Sequence, residues 1–270
     1  MNQQLESIKY LQAIIRTYSI SAEEKSTLVA RCRPLLDNIR VWSKNVFSQR
    51  VSIQPSGSFE KGTAITGAID IDFLVSFRNQ STLSLKEIYE SLYKYLNERY
   101  ETRKQNVSIG LDFNQIKIDI VPAQQWIDTP QKHSLYVRKS DTWKMTNIDI
   151  HINAVKNTSE PIRNIIKLMK IWRNLHKVEF PSFLIELVVL EVLNGKIIRR
   201  SIDNGFLQVL SYLQKDFCGA RIVDPANSNN IVSDTISASE KDTIRKLANA
   251  SLQSDCWEQI VWGLYPIIRS

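Results

Sequence analysis

The amino-acid sequence predicts an α+β fold, in which a mixed β-sheet with helices is followed by a helical C-terminal half. The spacing of apolar residues supports this fold class. It is helical in the first fifty residues, alternates at strand period in several segments between residues 51 and 121, and is helical again from residue 159 onward. We therefore predict two domains, a sheet domain with the N-terminal helices over residues 1–155 and a helical domain over residues 156–270.

Two helices are predicted at the N-terminus. Apolar residues of the first recur three or four positions apart: Leu5, Ile8, Leu11 and Ile15. Ser21 and Glu24 have the spacing of a capping box, which marks the start of a long second helix. That helix carries one apolar stripe: Leu28, Cys32, Leu35, Ile39, Trp42 and Val46. We expect these two helices to pack across both halves of the protein.

The remaining elements follow from the same periodicities. Strands are predicted over residues 51–53, 69–77, 107–111 and 116–121. The last two are expected to pair, with Asp112, Phe113 and Asn114 as their connection. Helices are predicted over residues 85–100, 161–177, 183–194, 204–217 and 239–262.

Composition narrows the class of protein. Of the 270 residues, 43% are hydrophobic and 23% are charged, which suits a globular chain with a core. No segment is long and apolar enough to cross a membrane, and we expect no secretory signal. The three cysteines are far apart and form no CxxC pair, so a cytoplasmic protein is expected. The net charge of +7 fits a polyphosphate or nucleic-acid ligand, although many other proteins carry as much.

Three aspartates carry the strongest chemical signal. Asp70 and Asp72 are two residues apart in a predicted strand, so their side chains point to the same face. Two adjacent carboxylates repel each other unless a cation lies between them, and Mg²⁺ prefers such oxygen ligands. Asp119 lies in a neighbouring apolar strand and would complete the site. Taken alone, such an Asp-x-Asp pair is more often a turn or a solvated strand face.

A glycine-containing segment precedes the aspartate pair. Gly57 would let the backbone approach a ligand closely, and the Ser58 hydroxyl and nearby amides could donate to phosphate oxygens. Lys61 and Thr63 follow in the same segment and are candidate nucleotide contacts. An ordinary glycine turn is the alternative, and it is favoured when the segment is considered alone.

The order Gly57-Ser58, then Asp70-x-Asp72, then Asp119 on a later strand resembles the signature of polymerase-β nucleotidyltransferases. This resemblance implies a polymerase-β-like palm in residues 1–155, with the three aspartates as catalytic metal ligands. Mg²⁺ is the implied cofactor, with Mn²⁺ as an alternative.

Later segments resemble oligoadenylate synthases and their bacterial relatives, the CD-NTases. The resemblance lies in residues 167–172, 181–187 and 224–230. It implies a triphosphate contact for Lys170 and a weaker one for Lys167, a phosphate or base contact for Ser182, and a nucleotide contact for Asn230. A solvated basic helix face and an ordinary turn are the alternatives.

A second resemblance, to archaeal-type CCA-adding enzymes, covers residues 139–151 and implies that His151 lies near the incoming nucleotide. A single histidine in a polar loop is more often structural. His133 has no motif support and is expected at the surface.

The resemblance to CD-NTases implies template-independent synthesis of a short oligonucleotide signal, cyclic or linear, in antiphage defence. ATP or dATP is the expected substrate, and an effector protein would bind through the product. A tRNA nucleotidyltransferase is the alternative enzyme, and only then is tRNA a partner; no membrane partner is expected. A catalytically dead scaffold and a toxin that modifies a protein are two further alternatives. Tyr265 could serve as a primer hydroxyl, although a buried aromatic is its default assignment.

Overall fold

The computed structural model describes residues 2–48, 50–66, 70–78, 83–193 and 202–262. Nine α-helices form in these residues: α1 Asn2–Tyr18, α2 Ala22–Phe47, α3 Gly57–Lys61, α4 Leu85–Asn97, α5 Ile148–Lys156, α6 Glu160–Leu175, α7 Ser182–Leu193, α8 Ile202–Lys215 and α9 Ala238–Leu252. The strands are β1 Ser52–Ser56, β2 Asp70–Arg78, β3 Thr102–Lys104, β4 Ile109–Phe113, β5 Ile116–Gln125, β6 His133–Val137, β7 Thr142–Thr146, β8 Val223–Asp224 and β9 Asn227–Ile231. The predicted α+β class is confirmed.

The main sheet has seven strands, with β1-β2-β5-β4-β3 as its central order. Strands β2 and β5 are parallel, whereas the other pairs are antiparallel, so the sheet is mixed as predicted. The far end of β5 pairs with β6, which forms a hairpin with β7. Strands β8 and β9 form a separate small sheet. The sequence did not predict β3 or β6 to β9, because these strands are short and carry many polar residues. The short helices α3 and α5 were not predicted either.

Two cores lie on either side of the junction between the halves. One packs α2 and α4 against the sheet, around residues such as Trp42 and Phe73. The other joins α1 to the C-terminal helices, around Leu11 and Trp172. The two N-terminal helices therefore contribute to different cores, because α1 packs against the helical half and α2 against the sheet. Together they contact both halves, but each packs mainly against one. The division of the chain at residue 155 stays a prediction.

Local sequence explains several element boundaries. Ser21 and Glu24 form the predicted capping box at the start of α2, and Ser84 with Glu87 forms another before α4. The turn between β4 and β5 places Asn114 and Gln115 at positive φ, a conformation that asparagine tolerates well. The connection is thus Asn114 and Gln115 alone, and Asp112 and Phe113, which were predicted in it, belong to β4.

Further sequence expectations are wrong. His151, expected in a polar loop, lies on α5. The helix predicted over residues 239–262 ends at Leu252, because polar residues interrupt the helical pattern there and a 3-10 turn, Trp257–Gln259, follows. His133 is only 5% exposed rather than at the surface. It lies on β6, where alternate residues point into the protein, and its Nε2 is 2.8 Å from the Ser76 hydroxyl. Within the described residues, no helix could span a membrane.

Candidate active site

The parallel pairing of β2 with β5 places the three aspartates together. Asp72 lies directly opposite Asp119, and Asp70 lies opposite Lys117. Because residues two apart on a strand share a face, Asp70, Asp72 and Asp119 project from the same face of the sheet. The sequence predicted this juxtaposition, which the strand register confirms. That these three aspartates bind metal ions stays a prediction.

The electrostatics of these carboxylates favour a bound cation. Burial, together with the negative charges of Asp119 and Asp70, raises the pKa of Asp72 to about 7, against the opposing effect of Lys61. Burial and the charge of Asp70 likewise raise the pKa of Asp119 to about 6. Both carboxylates are thus destabilised as anions in the metal-free protein. A divalent cation bound between these carboxylates would offset their mutual repulsion and stabilise their anionic forms.

Asp119 also has protein partners. Gln105 donates from Nε2 to Asp119 Oδ1 at 2.8 Å, and Arg103 Nη2 lies 3.9 Å from the same oxygen. In the described part of the chain, no three acidic, histidine or cysteine side chains are already arranged to hold a metal ion. The donor set, carboxylate oxygens on one sheet face, still fits a hard divalent cation such as Mg²⁺.

Gly57 brings the backbone against this carboxylate face. It follows β1, whose last residue Ser56 pairs with Asp72, and it opens α3 with a φ of +64°. A Cβ atom at Gly57 would overlap with Asp72 Oδ2. Glycine is therefore required at this position for two reasons, the positive φ of the backbone and the lack of space for a Cβ atom beside Asp72. Ser58, the predicted phosphate contact, is the next residue of the same short helix.

Gly57→Ala is expected to lower catalytic activity by about a hundredfold, since a shift of roughly 1 Å in reacting groups has such an effect. The added methyl group must displace the Asp72 carboxylate. The measurement is the steady-state rate of pyrophosphate release. The control is Gly219→Ala, because a Cβ there would have no neighbour within 4 Å. Equal rates for the two variants would contradict the expectation.

Three predicted nucleotide contacts converge on a glutamate that the sequence did not single out. Lys61 Nζ lies 2.7 Å from Glu186 Oε2, and Lys170 Nζ lies 2.7 Å from Glu186 Oε1. Thr63 donates its hydroxyl to Glu186 Oε1 at 3.1 Å and accepts from Lys170 at 3.0 Å. All four side chains are buried. This buried network joins α3 of the sheet half to α6 and α7 of the helical half.

Glu186 is ionised in this network. Burial alone would raise its pKa, but the charges and hydrogen bonds of Lys170 and Lys61 lower it to about 2. The only signal in the sequence was one glutamate in the otherwise apolar start of α7. In this structure, Lys61, Thr63 and Lys170 contact Glu186, and their role as nucleotide contacts stays a prediction.

A second group of predicted residues meets at Asp224. His151 Nε2 lies 2.6 Å from Asp224 Oδ1, and Asn230 donates from Nδ2 to Asp224 Oδ2 at 2.9 Å. Burial would raise the pKa of Asp224, but these hydrogen bonds lower it below its ordinary value. The His151 ring also packs on Phe183, over which Lys61 Nζ lies 5.1 Å from the ring centre. Contacts thus run without a break from Lys61 to Asn230.

Two predicted residues form hydrogen bonds outside both groups. Ser182 accepts a hydrogen bond from Arg173 at 2.9 Å, and Lys167 donates to the Ser19 hydroxyl at 3.0 Å. Neither contacts the aspartates in the described structure, and their nucleotide roles stay predictions. Tyr265, the conceivable primer, lies outside the described residues.

Comparison with known proteins adds a family match. Residues 6–158 match the model for the SMODS domain, described as Second Messenger Oligonucleotide or Dinucleotide Synthetase domain. A curated relative, "Cyclic AMP-AMP-AMP synthase" of Escherichia coli strain MS 115-1, is 24% identical over 204 residues. That alignment covers 67% of this chain and 64% of the relative, so the chain spans less than two thirds of the relative's length.

Solved structures show a similar fold. The E. coli MS115-1 CdnC:HORMA-deltaN complex gives a TM-score of 0.76 at 19% identity, covering 96% of this chain and 98% of the matched chain. The structure of E. coli MS115-1 CdnC with ATP gives a TM-score of 0.75 at 19% identity, covering 94% and 96%. At this identity the likeness establishes the nucleotidyltransferase fold and nothing finer.

Proposed function

The chain belongs to the SMODS family, and from this membership we propose that it is a metal-dependent, template-independent nucleotidyltransferase. It would join nucleoside triphosphates into a short oligonucleotide signal, cyclic or linear, in antiphage defence. The observation that carries this proposal is the register of β2 and β5, which sets Asp72 opposite Asp119 on one face with Asp70. Three acidic side chains beside a glycine turn suit the transfer of a nucleotidyl group.

The proposed mechanism assigns a task to each part of the site. Asp70, Asp72 and Asp119 would hold divalent ions, for which Mg²⁺ is proposed and Mn²⁺ is the alternative. Such ions would neutralise negative charge on the triphosphate and make the attacking hydroxyl more acidic. Gly57 and Ser58 would approach the phosphates through backbone N–H groups and the serine hydroxyl. The acceptor hydroxyl would attack the α-phosphate and lose its proton to solvent, forming a phosphodiester bond while the bond between the α-phosphate and the departing pyrophosphate breaks.

Substrate and partners are part of the same proposal. ATP or dATP is proposed because one relative is named for an AMP-containing product and a similar fold was solved with ATP. The complex of a related fold with HORMA-deltaN supports a protein partner for this chain too. An effector protein would act through the product. A cytoplasmic location is supported by three cysteines that are all free in the described structure.

The test is product formation by the full chain. Purified protein is incubated with Mg²⁺ and each ribo- and deoxyribonucleoside triphosphate, singly and mixed, and the products are identified by mass spectrometry. Short oligomers are expected that disappear in the double variant Asp70→Ala/Asp72→Ala. No product with any triphosphate, followed by AMP or CMP transfer once tRNA is added, would overturn signal synthesis in favour of tRNA tailing.

A further inference from the structure

The hairpin of β3 and β4 lies beside the candidate active site and contacts one of its carboxylates. Gly110 of β4 lies opposite Asp119 of β5 and, on its other side, opposite Arg103 of β3. Residues that lie directly opposite each other on neighbouring strands share a face of the sheet. On the face that carries the three aspartates, the position next to Asp119 is thus occupied by a residue without a side chain.

The missing side chain of Gly110 leaves a passage to Asp119. A Cβ atom at Gly110 would lie 2.7 Å from both Gln105 Nε2 and Arg103 Nε. These two side chains pass over Gly110 and reach Asp119 Oδ1, at 2.8 Å from Gln105 Nε2 and 3.9 Å from Arg103 Nη2. The backbone of Gly110 is not in the positive-φ region, so its conformation does not require glycine. Glycine is needed here to leave room for the two side chains that contact Asp119.

The side-chain amide of Gln105 is held in one orientation. The Ser108 hydroxyl donates to Gln105 Oε1 at 2.9 Å, so Nε2 is the atom that faces the Asp119 carboxylate. The backbone of Gln105 is fixed as well, because its carbonyl accepts from the Tyr89 hydroxyl at 3.1 Å and from Arg138 Nε at 3.1 Å. A donor that is itself held by other hydrogen bonds can fix the group to which it donates.

Gln105 and Arg103 also favour the anionic form of Asp119. Burial and the charge of Asp70 raise the pKa of Asp119, whereas Arg103 and the hydrogen bond from Gln105 oppose this rise. The Arg103 side chain is 48% exposed, so solvent screens much of its charge. Gln105 is partly buried and makes the shorter contact, and it is therefore the stronger of the two partners.

We propose that Gln105 is a positioning residue, which restricts the Asp119 carboxylate and so raises its affinity for a divalent ion. Gly110 provides the space for this contact. The inference rests on the proposed function, since it takes Asp119 to be a metal ligand. Hydrogen-bond donors that hold a metal-binding carboxylate typically contribute about ten- to a hundredfold in metal affinity or activity.

Two variants remove the contact in opposite ways. Gln105→Met has a side chain of similar length that cannot donate, and Gly110→Ala fills the passage while Gln105 is kept. The affinity of the full chain for Mn²⁺, a paramagnetic substitute for Mg²⁺, is measured by electron paramagnetic resonance without nucleotide. Each variant should weaken it by about tenfold. Gln208→Met, at an exposed glutamine, and Gly219→Ala, at a glycine with open space around it, are the matched controls and should keep wild-type affinity.

Two further measurements distinguish positioning from general damage to the fold. The double variant Gln105→Met/Gly110→Ala should bind Mn²⁺ about as weakly as Gln105→Met alone, because both changes remove the same hydrogen bond. In the reaction, the rate at saturating triphosphate should fall by about tenfold in each single variant, while KM changes by less than about threefold. KM is retained because the proposed phosphate contacts of Gly57 and Ser58 are unaltered.

The outcomes decide between the proposals. Unchanged or tighter Mn²⁺ binding by Gln105→Met overturns the positioning role, and so do additive losses in the double variant. Should Gln105→Met fail to fold, the comparison of Gly110→Ala with Gly219→Ala decides in its place. A wild type that binds no Mn²⁺ overturns the positioning role even if it forms product. A wild type that forms no product, but whose Mn²⁺ affinity falls in both variants, supports the positioning role and contradicts the proposed function.

Discussion

Asp72→Asn is expected to abolish product formation while stabilising the metal-free protein. The rate should fall by about a thousandfold or more, because a carboxylate that holds metal charge at the reaction centre contributes several kcal/mol to transition-state stabilisation. Pyrophosphate release at saturating triphosphate and Mg²⁺ is the measurement. Asp128→Asn, the same change at an exposed position, should keep the wild-type rate.

The stability effect has a defined sign and pH window. In the folded, metal-free protein the pKa of Asp72 is raised from 3.8 to about 7, so the folded state binds the proton more tightly than the unfolded chain does. The free energy of unfolding therefore decreases as pH rises through this window. The Asp72→Asn variant has no carboxylate here to lose its proton, so its free energy of unfolding should not decrease in this way. The thermal midpoint of the variant should therefore be higher than that of wild type at pH 8 and equal to it near pH 4.

Metal addition provides the complementary measurement. Mg²⁺ at pH 8 should raise the midpoint of wild type, since a ligand that binds only the folded state stabilises it, and should raise that of Asp72→Asn much less. Equal midpoint shifts in the two proteins would contradict a role for Asp72 as a metal ligand. A retained rate in Asp72→Asn would contradict its catalytic role.

The carboxylate face could be predicted because local periodicity determines it. Asp70 and Asp72 share a face in any strand, and an apolar segment around Asp119 identifies the neighbouring strand. The parallel pairing of β2 with β5 was not predicted, because periodicity identifies a strand but not its partner or its direction. The glycine preceding the aspartates was also recognisable, but its reason, the contact of Gly57 with Asp72, required the register of β1.

The partners of the lysines could not be predicted, because they depend on distant parts of the chain. Lys170 was predicted on a helix, which the structure confirms, but its side chain is buried and not on a solvated face. Its partner Glu186 lies on the next helix, and Lys61, which shares that partner, lies 125 residues before Glu186. Helical spacing gives the face of a residue but not the element that covers it. The buried position of His133 was missed for a related reason, since only the pairing of β6 encloses that side chain.

The buried network around Glu186 predicts the largest loss of stability. Glu186→Gln should lower the free energy of unfolding by about 3–5 kcal/mol, because two buried ammonium groups lose their anion while the side-chain volume is almost unchanged. Urea unfolding at pH 7 measures the loss. Glu191→Gln, on the exposed face of the same helix, is the matched control and should change stability by less than about 0.5 kcal/mol.

The pH dependence of this loss distinguishes an unpaired charge from simple damage to packing. Burial already holds the pKa of Lys170 below its ordinary value of 10.5 in the wild type, although Glu186 opposes this effect. Removal of Glu186 lowers the Lys170 pKa further, so in the variant the unfolded chain exceeds the folded protein in bound protons by more than in the wild type. The free energy of unfolding of Glu186→Gln should therefore increase between pH 7 and pH 10, and the deficit relative to wild type should shrink. A deficit that is constant across this range would mean that Glu186 acts through packing. A deficit as small as that of Glu191→Gln would mean that the junction of the two halves does not depend on the ion pairs.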